Sequence, residues 1–222
     1  QTDLALCQPY FCRRSGNLYA IILDGVLYNA EEIRQDLSVW NVSVADADDA
    51  ELILKSFLQY GPDFASRLNG VFSIAIFDFS GKECYLYRDF FGTKPLFYTT
   101  SPSDHTTVFS SEIKGLFCYP EVTAKLTTES LNEIFSLGPA RTPGSGVFDG
   151  IFEVPPAHCL VITPYGKQLK PYWTLSCHPH EDDDQTTIEK TAFLIQDAVE
   201  RQMKGTAPIC TFLSGGVDSS LI

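Results

Sequence analysis

The stretch Ala207-Pro-Ile-Cys-Thr-Phe-Leu-Ser-Gly-Gly-Val-Asp-Ser-Ser220 joins an apolar run to a turn rich in glycine and hydroxyl groups. The run Ile209–Leu213 predicts a buried parallel strand. Gly215 and Gly216 allow a tight turn and a close approach to a ligand, because they carry no Cβ. From Ser219 onward the pattern predicts a helix. A strand, a glycine turn and a helix N-terminus are typical of an anion site in a parallel α/β domain.

Two interpretations of this turn stand side by side. In one it holds a phosphate; in the other Asp218 and Ser219 only cap the helix. No Lys follows the glycines, so this is not the Gly-Lys-Ser/Thr phosphate loop. The string Ser-Gly-Gly-Val-Asp-Ser resembles the pyrophosphate loop of ATP pyrophosphatases, which form adenylates and release pyrophosphate. That resemblance implies an ATP site, with Mg²⁺ entering as part of the substrate complex. Its residues would be Leu213, Ser214, Gly215, Gly216, Asp218 and Ser219.

Composition limits the function classes. A chain of 222 residues with 44% hydrophobic content can bury a core of one or two domains. The net charge is −12, and no basic cluster is longer than Arg13-Arg14, which argues against nucleic acid and anionic membranes as partners. No apolar run approaches the ~20 residues that span a bilayer, and the first residues lack a signal-peptide pattern.

The seven cysteines include no Cys-x-x-Cys pair. An odd count suits no closed disulfide set, so we expect mostly reduced thiols and a cytoplasmic protein. The chain opens on Gln1, and its only methionine is Met203. We therefore expect a piece of a longer protein.

Residues 1–174 predict an α+β domain of antiparallel sheets covered by helices. Asp24-Gly25 is expected to be a turn, Asn29 a helix cap, and Asp48 or Asp49 the cap of a second helix. The hairpin of 71–78 with 83–88 is expected at the centre. Both of its faces should be buried, with Phe72, Ile74 and Ile76 on one side and Val71, Ala75 and Phe77 on the other. Predicted strands are 18–23, 69–78, 83–88, 96–99, 107–110, 151–154 and 158–163, and predicted helices are 31–37, 50–60 and 129–135.

A change of pattern marks a boundary at 175–186. This segment is polar and contains the acidic run Glu181–Asp184, which we interpret as a solvated linker rather than a metal site. Thr186 with Glu189 predicts a capping box. The helix that follows is expected to run from Thr187 to about Met203. Its expected buried residues are Ile188, Ala192, Ile195 and Val199.

Ordered blocks of the chain resemble glutamine-dependent asparagine synthetases. Their Asn-Gly-Glu-Ile-Tyr-Asn corresponds to Asp-Gly-Val-Leu-Tyr-Asn at 24–29, and their Asp-Thr-Glu-Val-Ile-Leu to Asp-Ala-Glu-Leu-Ile-Leu at 49–54. Arg-Asp-Phe-Phe-Gly-Thr-Lys-Pro-Leu-Phe-Tyr at 88–98 and Phe-Ser-Ser-Glu-Ile-Lys-Gly-Leu at 109–116 follow in the same order, ahead of Tyr172-Trp173 and the terminal loop.

The resemblance implies a fold and an activity. The fold is the four-layer α/β/β/α sandwich of an N-terminal-nucleophile glutaminase over 1–174, a linker over 175–186, and the start of the ATP-binding synthetase domain over 187–222. The activity is that of a carbon–nitrogen ligase: glutamine is hydrolysed, and its ammonia reacts with a β-aspartyl-adenylate. Glutamine, aspartate and ATP are the implied small molecules, and a homodimer is left open. This piece alone is expected to be inactive.

The resemblance also implies a glutamine site at Asp24, Gly25, Val26 and Asp49. Asp49 would hold the α-amino group, and Gly25 would supply an N–H to the oxyanion. Asp24 and Val26 stand where the family has Asn and Glu, and an acidic Asp24 predicts a weakened glutaminase. Alternatively, Asp24 is only a turn residue facing solvent. The nucleophilic Cys is expected upstream of Gln1, so no catalytic residue is assigned.

Further residues keep two interpretations. Arg88, Asp89 and Lys94 are either structural ion-pair residues or catalytic ones. Glu112 and Lys114 are candidates for lining an inter-domain face. For the whole protein the alternatives are a relative with an inactive glutaminase, such as a β-lactam-synthetase-like or ammonia-using enzyme, and a non-catalytic binding module.

Overall fold

The computed structural model describes residues 8–138, 140–203 and 210–221. The chain divides into two compact units that meet between Thr174 and Leu175. The larger unit holds nine strands and four α-helices among its described residues, and the smaller one holds two helices.

The larger unit follows this order along the chain. Its strands are β1 Tyr10–Arg14, β2 Asn17–Leu27, β3 Gly70–Asp78, β4 Glu83–Arg88, β5 Phe97–Thr100, β6 Thr107–Ser110, β7 Ile151–Glu153, β8 His158–Thr163 and β9 Gly166–Pro171. Its helices are α1 Ala30–Val39, α2 Asp49–Tyr60, α3 Ile113–Leu116 and α4 Thr128–Leu137, with a 3₁₀ segment at Gly61–Arg67.

Two antiparallel sheets form the centre of this unit. The first has six strands in the order β1-β2-β3-β4-β8-β9, and the second has three in the order β6-β5-β7. β7 and β8 are neighbours in sequence but belong to different sheets. The chain thus crosses from the second sheet to the first between Glu153 and His158.

Three apolar clusters separate four layers. The first lies between α1, α2 and the first sheet; Leu37, Leu52 and Ile74 belong to it. The second, which includes Leu86 and Tyr98, lies between the two sheets. The third joins the second sheet to α3 and the residues that follow it. These layers confirm the predicted α/β/β/α sandwich.

The hairpin of β3 and β4 lies in the middle of the first sheet, as predicted. Phe72, Ile74 and Ile76 are fully buried on the side of the helices. On the opposite face Ala75 is buried and Phe77 is partly buried in the cluster between the sheets. Both faces are therefore covered, which accounts for the nearly continuous apolar sequence of the strand.

The predicted turn at Asp24-Gly25 is wrong. β2 runs through it without a break, and each residue from Tyr19 to Leu27 has a partner on β3. A Cβ on Gly25 would lie 2.1 Å from the carbonyl oxygen of Val71, so the two backbones approach closely here. The glycine serves this close approach, and the continuous ladder overrides its turn propensity.

Asn29 is the N-cap residue of α1, at the predicted position, but its side chain makes no cap hydrogen bond. Instead its Oδ1 accepts from the Asn69 N–H at 2.8 Å and its Nδ2 donates to the Arg67 carbonyl at 3.0 Å. The side chain therefore fixes the entry to β3. At α2 Asp48 is the cap, since it accepts from the Glu51 N–H.

The smaller unit contains α5 Asp184–Gln202 and α6 Val217–Leu221. The predicted capping box is wrong, because Asp183 caps α5 through the Thr186 N–H and starts the helix earlier. No residue of α5 is fully buried: Ile188 and Ala192 are exposed, and the other two predicted core residues are half-buried.

The predicted buried strand before the glycine turn is not formed. Cys210 to Leu213 belong to no helix or strand, and Phe212 and Leu213 are exposed; Ile209 lies outside the described residues. A parallel strand exists only through hydrogen bonds to a neighbour. The described part of this unit offers no second strand to pair with.

Candidate functional site

Asp49 is the first residue of α2, beside the end of β2. Its Oδ2 accepts the Leu27 N–H at 2.9 Å. Burial raises the pKa of Asp49 above its ordinary value, although the Leu27 bond and the nearby Arg34 act in the opposite direction. Because Asp48 caps α2, the Asp49 carboxylate does not serve as the cap and bonds to the edge of β2 instead.

Beyond Ile21, the outer edge of β2 is not paired with β1. There the side-chain amide of Gln8 replaces a neighbouring strand, since it accepts the Leu23 N–H at 2.6 Å and donates to the Leu23 carbonyl at 2.9 Å. Asp49 occupies the same edge at Leu27. Backbone groups alternate between the two edges of a strand, so Gly25 turns its N–H to this edge as well.

Gly25 therefore lies between two occupied positions. The strand rise of about 3.4 Å per residue places its N–H about 7 Å from that of Leu27, where Asp49 binds. The edge thus offers a carboxylate for an amine and, two residues along the strand, a backbone donor for a carbonyl oxygen.

Asp24 lies next to Gly25, on the opposite face of the sheet from Leu23. Its Oδ1 forms an ion pair with the Lys94 Nζ at 2.7 Å, and the side chains are 46% and 35% exposed. Asp24 is therefore neither a turn residue nor a group with only solvent around it. Val26 is on the same face and is 43% exposed.

Asp89 anchors the loop between β4 and β5. Its side chain is almost fully buried. Oδ1 accepts the Phe91 and Thr93 N–H groups at 3.2 and 2.9 Å, and Oδ2 accepts the Lys94 and Phe72 N–H groups at 2.9 and 3.3 Å. This carboxylate serves the fold and faces no open surface.

Arg88 is buried beside it and is likewise structural. Its guanidinium donates to the carbonyls of Lys94, Val154 and Gly92 at 2.8–2.9 Å and forms an ion pair with Glu153 at 2.9 Å. Gly92 has a φ of +66°, and a Cβ there would lie 2.9 Å from the guanidinium carbon. Of the three residues with two interpretations, only Lys94 thus reaches the surface near Gly25. Glu112 and Lys114 form an exposed ion pair at 2.6 Å.

The glycine turn of the smaller unit is held by its own hydroxyls. The Oγ atoms of Ser214 and Ser219 are 2.8 Å apart, and the Ser214 N–H donates to Ser219 Oγ at 3.2 Å. Gly215 has a φ of +79°. The helix begins at Val217, two residues before the predicted start, so Asp218 lies within its first turn.

Several further properties bear on partners. All six described cysteines are free thiols. Within the described residues no three His, Cys, Asp or Glu side chains are grouped so that they could hold a metal ion. Among the helices that the structure describes, none has the length and apolar character needed to cross a membrane.

The comparison with models of known protein families shows which family this chain belongs to. Residues 2–173 match the sequence model of the family described as glutamine amidotransferase domain. The chain belongs to this family. Residues 190–222 match a second model, described as asparagine synthase. The resemblance proposed from the sequence blocks is thereby confirmed.

Curated relatives agree with this. Asparagine synthetase [glutamine-hydrolyzing] 3 of Bacillus subtilis (strain 168) is 40% identical over 97% of this chain, and the match covers 35% of that protein. Asparagine synthetase [glutamine-hydrolyzing] 2 of the same strain is 31% identical over 99% of this chain, covering 30% of the relative. The chain thus spans about a third of the length of these relatives.

A solved structure shows the same fold. The glutamine phosphoribosylpyrophosphate amidotransferase from B. subtilis matches 76% of this chain and 32% of its own with a TM-score of 0.52 and 19% identity. At this identity the likeness concerns the fold alone. It agrees with the sandwich predicted for a glutamine amidotransferase.

Sequence reasoning missed two residues, Gln8 at the edge of β2 and Glu153, the buried partner of Arg88. Gln8 is recognisable only once β1 is known to stop pairing at Ile21. Glu153 is recognisable only once β7 is known to lie beside the end of β4. Their positions depend on contacts between distant segments, and no local pattern signals them.

Proposed function

We propose that this chain forms the glutamine-hydrolysing domain and the beginning of the synthetase domain of an asparagine synthetase. Glutamine and water would give glutamate and ammonia. Aspartate and ATP would give β-aspartyl-adenylate and pyrophosphate, and ammonia would displace AMP to form asparagine. The two family matches, one at each end of the chain, support this proposal.

The proposed division is residues 1–174 for the glutaminase, 175–186 for the linker and 187–222 for the start of the ATP-binding domain. Free thiols at the described cysteines are compatible with a reducing cytoplasm, which we propose as the location. The proposal leaves the assembly state open, with a homodimer as one candidate.

The edge of β2 is the observation that supports the glutamine site best. Asp49 would bind the α-ammonium, and the Gly25 N–H, two residues along the strand from Leu27, would bind the amide oxygen. Val26 is neutral where the resembling family has Glu, so Asp49 would be the main carboxylate for the ammonium. Asp24 would flank the amide end, with Lys94 beside it.

The ATP site is proposed at the glycine turn. The Ser214 and Ser219 hydroxyls and the backbone of Gly215 and Gly216 would face the phosphates. These hydroxyls bond to one another in the structure, so they would exchange partners when a phosphate binds. Mg²⁺ would arrive bound to ATP, since the described residues group no acidic side chains into a metal site.

Calorimetry with L-glutamine on the full-length protein tests the glutamine site. Asp49→Asn should weaken binding at least about tenfold, because a half-buried charge partner of the ammonium is lost. Asp48→Asn is the matched control, since Asp48 is the adjacent carboxylate but serves only as the cap. Equal losses in the two variants would show that Asp49 has no special role, and no binding by wild type would reject the site.

The second candidate is a relative that keeps the fold but does not hydrolyse glutamine. The departures at Asp24 and Val26 favour it. It predicts that ammonia, but not glutamine, supports asparagine formation by the full-length protein. Measuring product with each nitrogen source in turn separates the two candidates, and failure with both would favour a binding module.

A further inference from the structure

Asp24 places a carboxylate one residue from the proposed oxyanion donor. In glutamine hydrolysis a nucleophile bonds to the amide carbon while the carbonyl π pair moves onto oxygen. The pair returns when ammonia leaves, with its nitrogen protonated by the acid that the nucleophile's proton generated. Water then adds to the acyl carbon through a second oxyanion, and the nucleophile leaves and regains its proton as glutamate forms. An uncompensated negative charge beside Gly25 would disfavour the oxyanion, which depends on preorganised donors.

Lys94 is placed against this carboxylate by buried groups. Its N–H donates to Asp89 Oδ2 at 2.9 Å, and its carbonyl accepts from Arg88 Nε at 2.9 Å. Both backbone groups of Lys94 are therefore fixed by side chains that are almost fully buried.

The neighbouring position is fixed in the same way. Ser73, the cross-strand partner of Asp24, donates its hydroxyl to the Pro95 carbonyl at 2.9 Å. The loop is thus attached to β3 directly opposite Asp24. The loop places the Nζ atom of Lys94 2.7 Å from Oδ1 of Asp24.

This ion pair contributes little to folding. Both side chains are more than a third exposed, and pairs of this kind are worth about 0–1 kcal/mol. The fold does not require the Asp24–Lys94 ion pair, yet buried groups hold the backbone of Lys94 in place. This points to a role for the pair at the adjacent Gly25.

We propose that Lys94 is a positioning residue of the glutaminase, which neutralises Asp24 so that the Gly25 N–H can stabilise the oxyanion. This inference rests on the proposed function, and it removes the predicted conflict between Asp24 and catalysis. The Lys94 ammonium acts through Asp24 and needs no contact with glutamine.

A double-mutant cycle on the full-length protein tests this, with Lys94→Met, Asp24→Asn and the double variant. Lys94→Met should lower the glutaminase kcat by about tenfold or more, because the bare carboxylate then opposes the oxyanion. KM should change less than twofold, since Asp49 is untouched. Asp24→Asn should remove most of the effect, so that the double variant stays within about threefold of Asp24→Asn alone.

Several outcomes overturn the inference. An unchanged kcat in Lys94→Met would do so, as would the same loss in both backgrounds, which would indicate a structural role. Both of these outcomes, obtained with a wild type that hydrolyses glutamine, leave the proposed function standing. A wild type that binds glutamine without hydrolysing it would instead reject the proposed glutaminase, together with this inference, and would leave only the binding role of Asp49.

Discussion

Arg88 at the end of β4 and Glu153 at the end of β7 form a buried ion pair between the two sheets. Their charged atoms are 2.9 Å apart, and each side chain is only 7% exposed. We expect Glu153→Ala to lower the free energy of unfolding by about 3–5 kcal/mol, because it leaves a guanidinium buried without its counter-charge. Chemical denaturation measures this.

An exposed pair provides the control. Lys125 and Asp149 are 2.7 Å apart but largely solvated. Asp149→Ala should therefore leave the unfolding midpoint unchanged within error. Similar losses in Glu153→Ala and Asp149→Ala would mean that burial of the first pair has been misjudged.

The raised pKa of Asp49 predicts opposite effects on binding and stability. Only the ionised carboxylate attracts an ammonium, so glutamine affinity should fall as pH is lowered through the raised pKa. The folded state binds this proton more tightly than the unfolded chain does. Asp49 ionisation therefore costs stability as pH rises from the ordinary carboxyl range through the raised value.

Asp49→Asn separates these two effects. At neutral pH the variant should bind glutamine poorly but be at least as stable as wild type, because the half-buried charge is gone. Thermal unfolding and calorimetry across pH 4–7 (a range of about three units around carboxyl titration) check both expectations. A variant that loses binding and stability together would contradict them.

Gly25→Ala should disrupt the β2–β3 ladder. The added Cβ would lie 2.1 Å from the Val71 carbonyl oxygen and 2.7 Å from the Phe72 Cα, and neither backbone can move without opening the sheet. We expect a loss of at least about 3 kcal/mol in the free energy of unfolding.

Gly150→Ala is the matched control for Gly25. Gly150 has a φ of +73° but open space where a Cβ would be. Its substitution should cost only the left-handed strain of about 1–2 kcal/mol. If Gly25→Ala costs no more than this, the close approach of the two strands is not rigid.

Two buried serines should respond in opposite directions. Ser56 on α2 is 1% exposed, and its hydroxyl has no hydrogen-bond partner among the described residues. Ser56→Ala should therefore stabilise the protein by about 1 kcal/mol. Ser130 shares a capping box with Thr127, so Ser130→Ala should destabilise it by about 1 kcal/mol. Denaturant midpoints of the two variants decide the matter.

Local patterns were enough where the contact was local. The β3–β4 hairpin and the ends of α2 follow from a short turn, apolar periodicity and a capping Asp, all within a few residues. The candidate residues at β2 were named from the sequence, but their place in a continuous strand was not predicted. The Asp24-Gly25 pair has the chemistry of a turn, and only the pairing of β2 with β3 makes it strand.

The segment before the glycine turn shows where prediction from local sequence fails. The apolar run ending at Leu213 has the composition of a buried strand, but composition cannot provide the neighbour that a strand requires. Lys94 is a similar case, since its proximity to Asp24 depends on a loop anchored by Asp89. Both outcomes are decided by tertiary contacts.

The Gln8 side chain at the edge of β2 has a consequence for what the site admits. An unpaired sheet edge recruits extended peptides, which add as a further strand. Among the described residues, Gln8 occupies this edge at Leu23 and Asp49 occupies it at Leu27. An added peptide strand would therefore find no continuous row of backbone partners there, which favours a small ligand over a polypeptide.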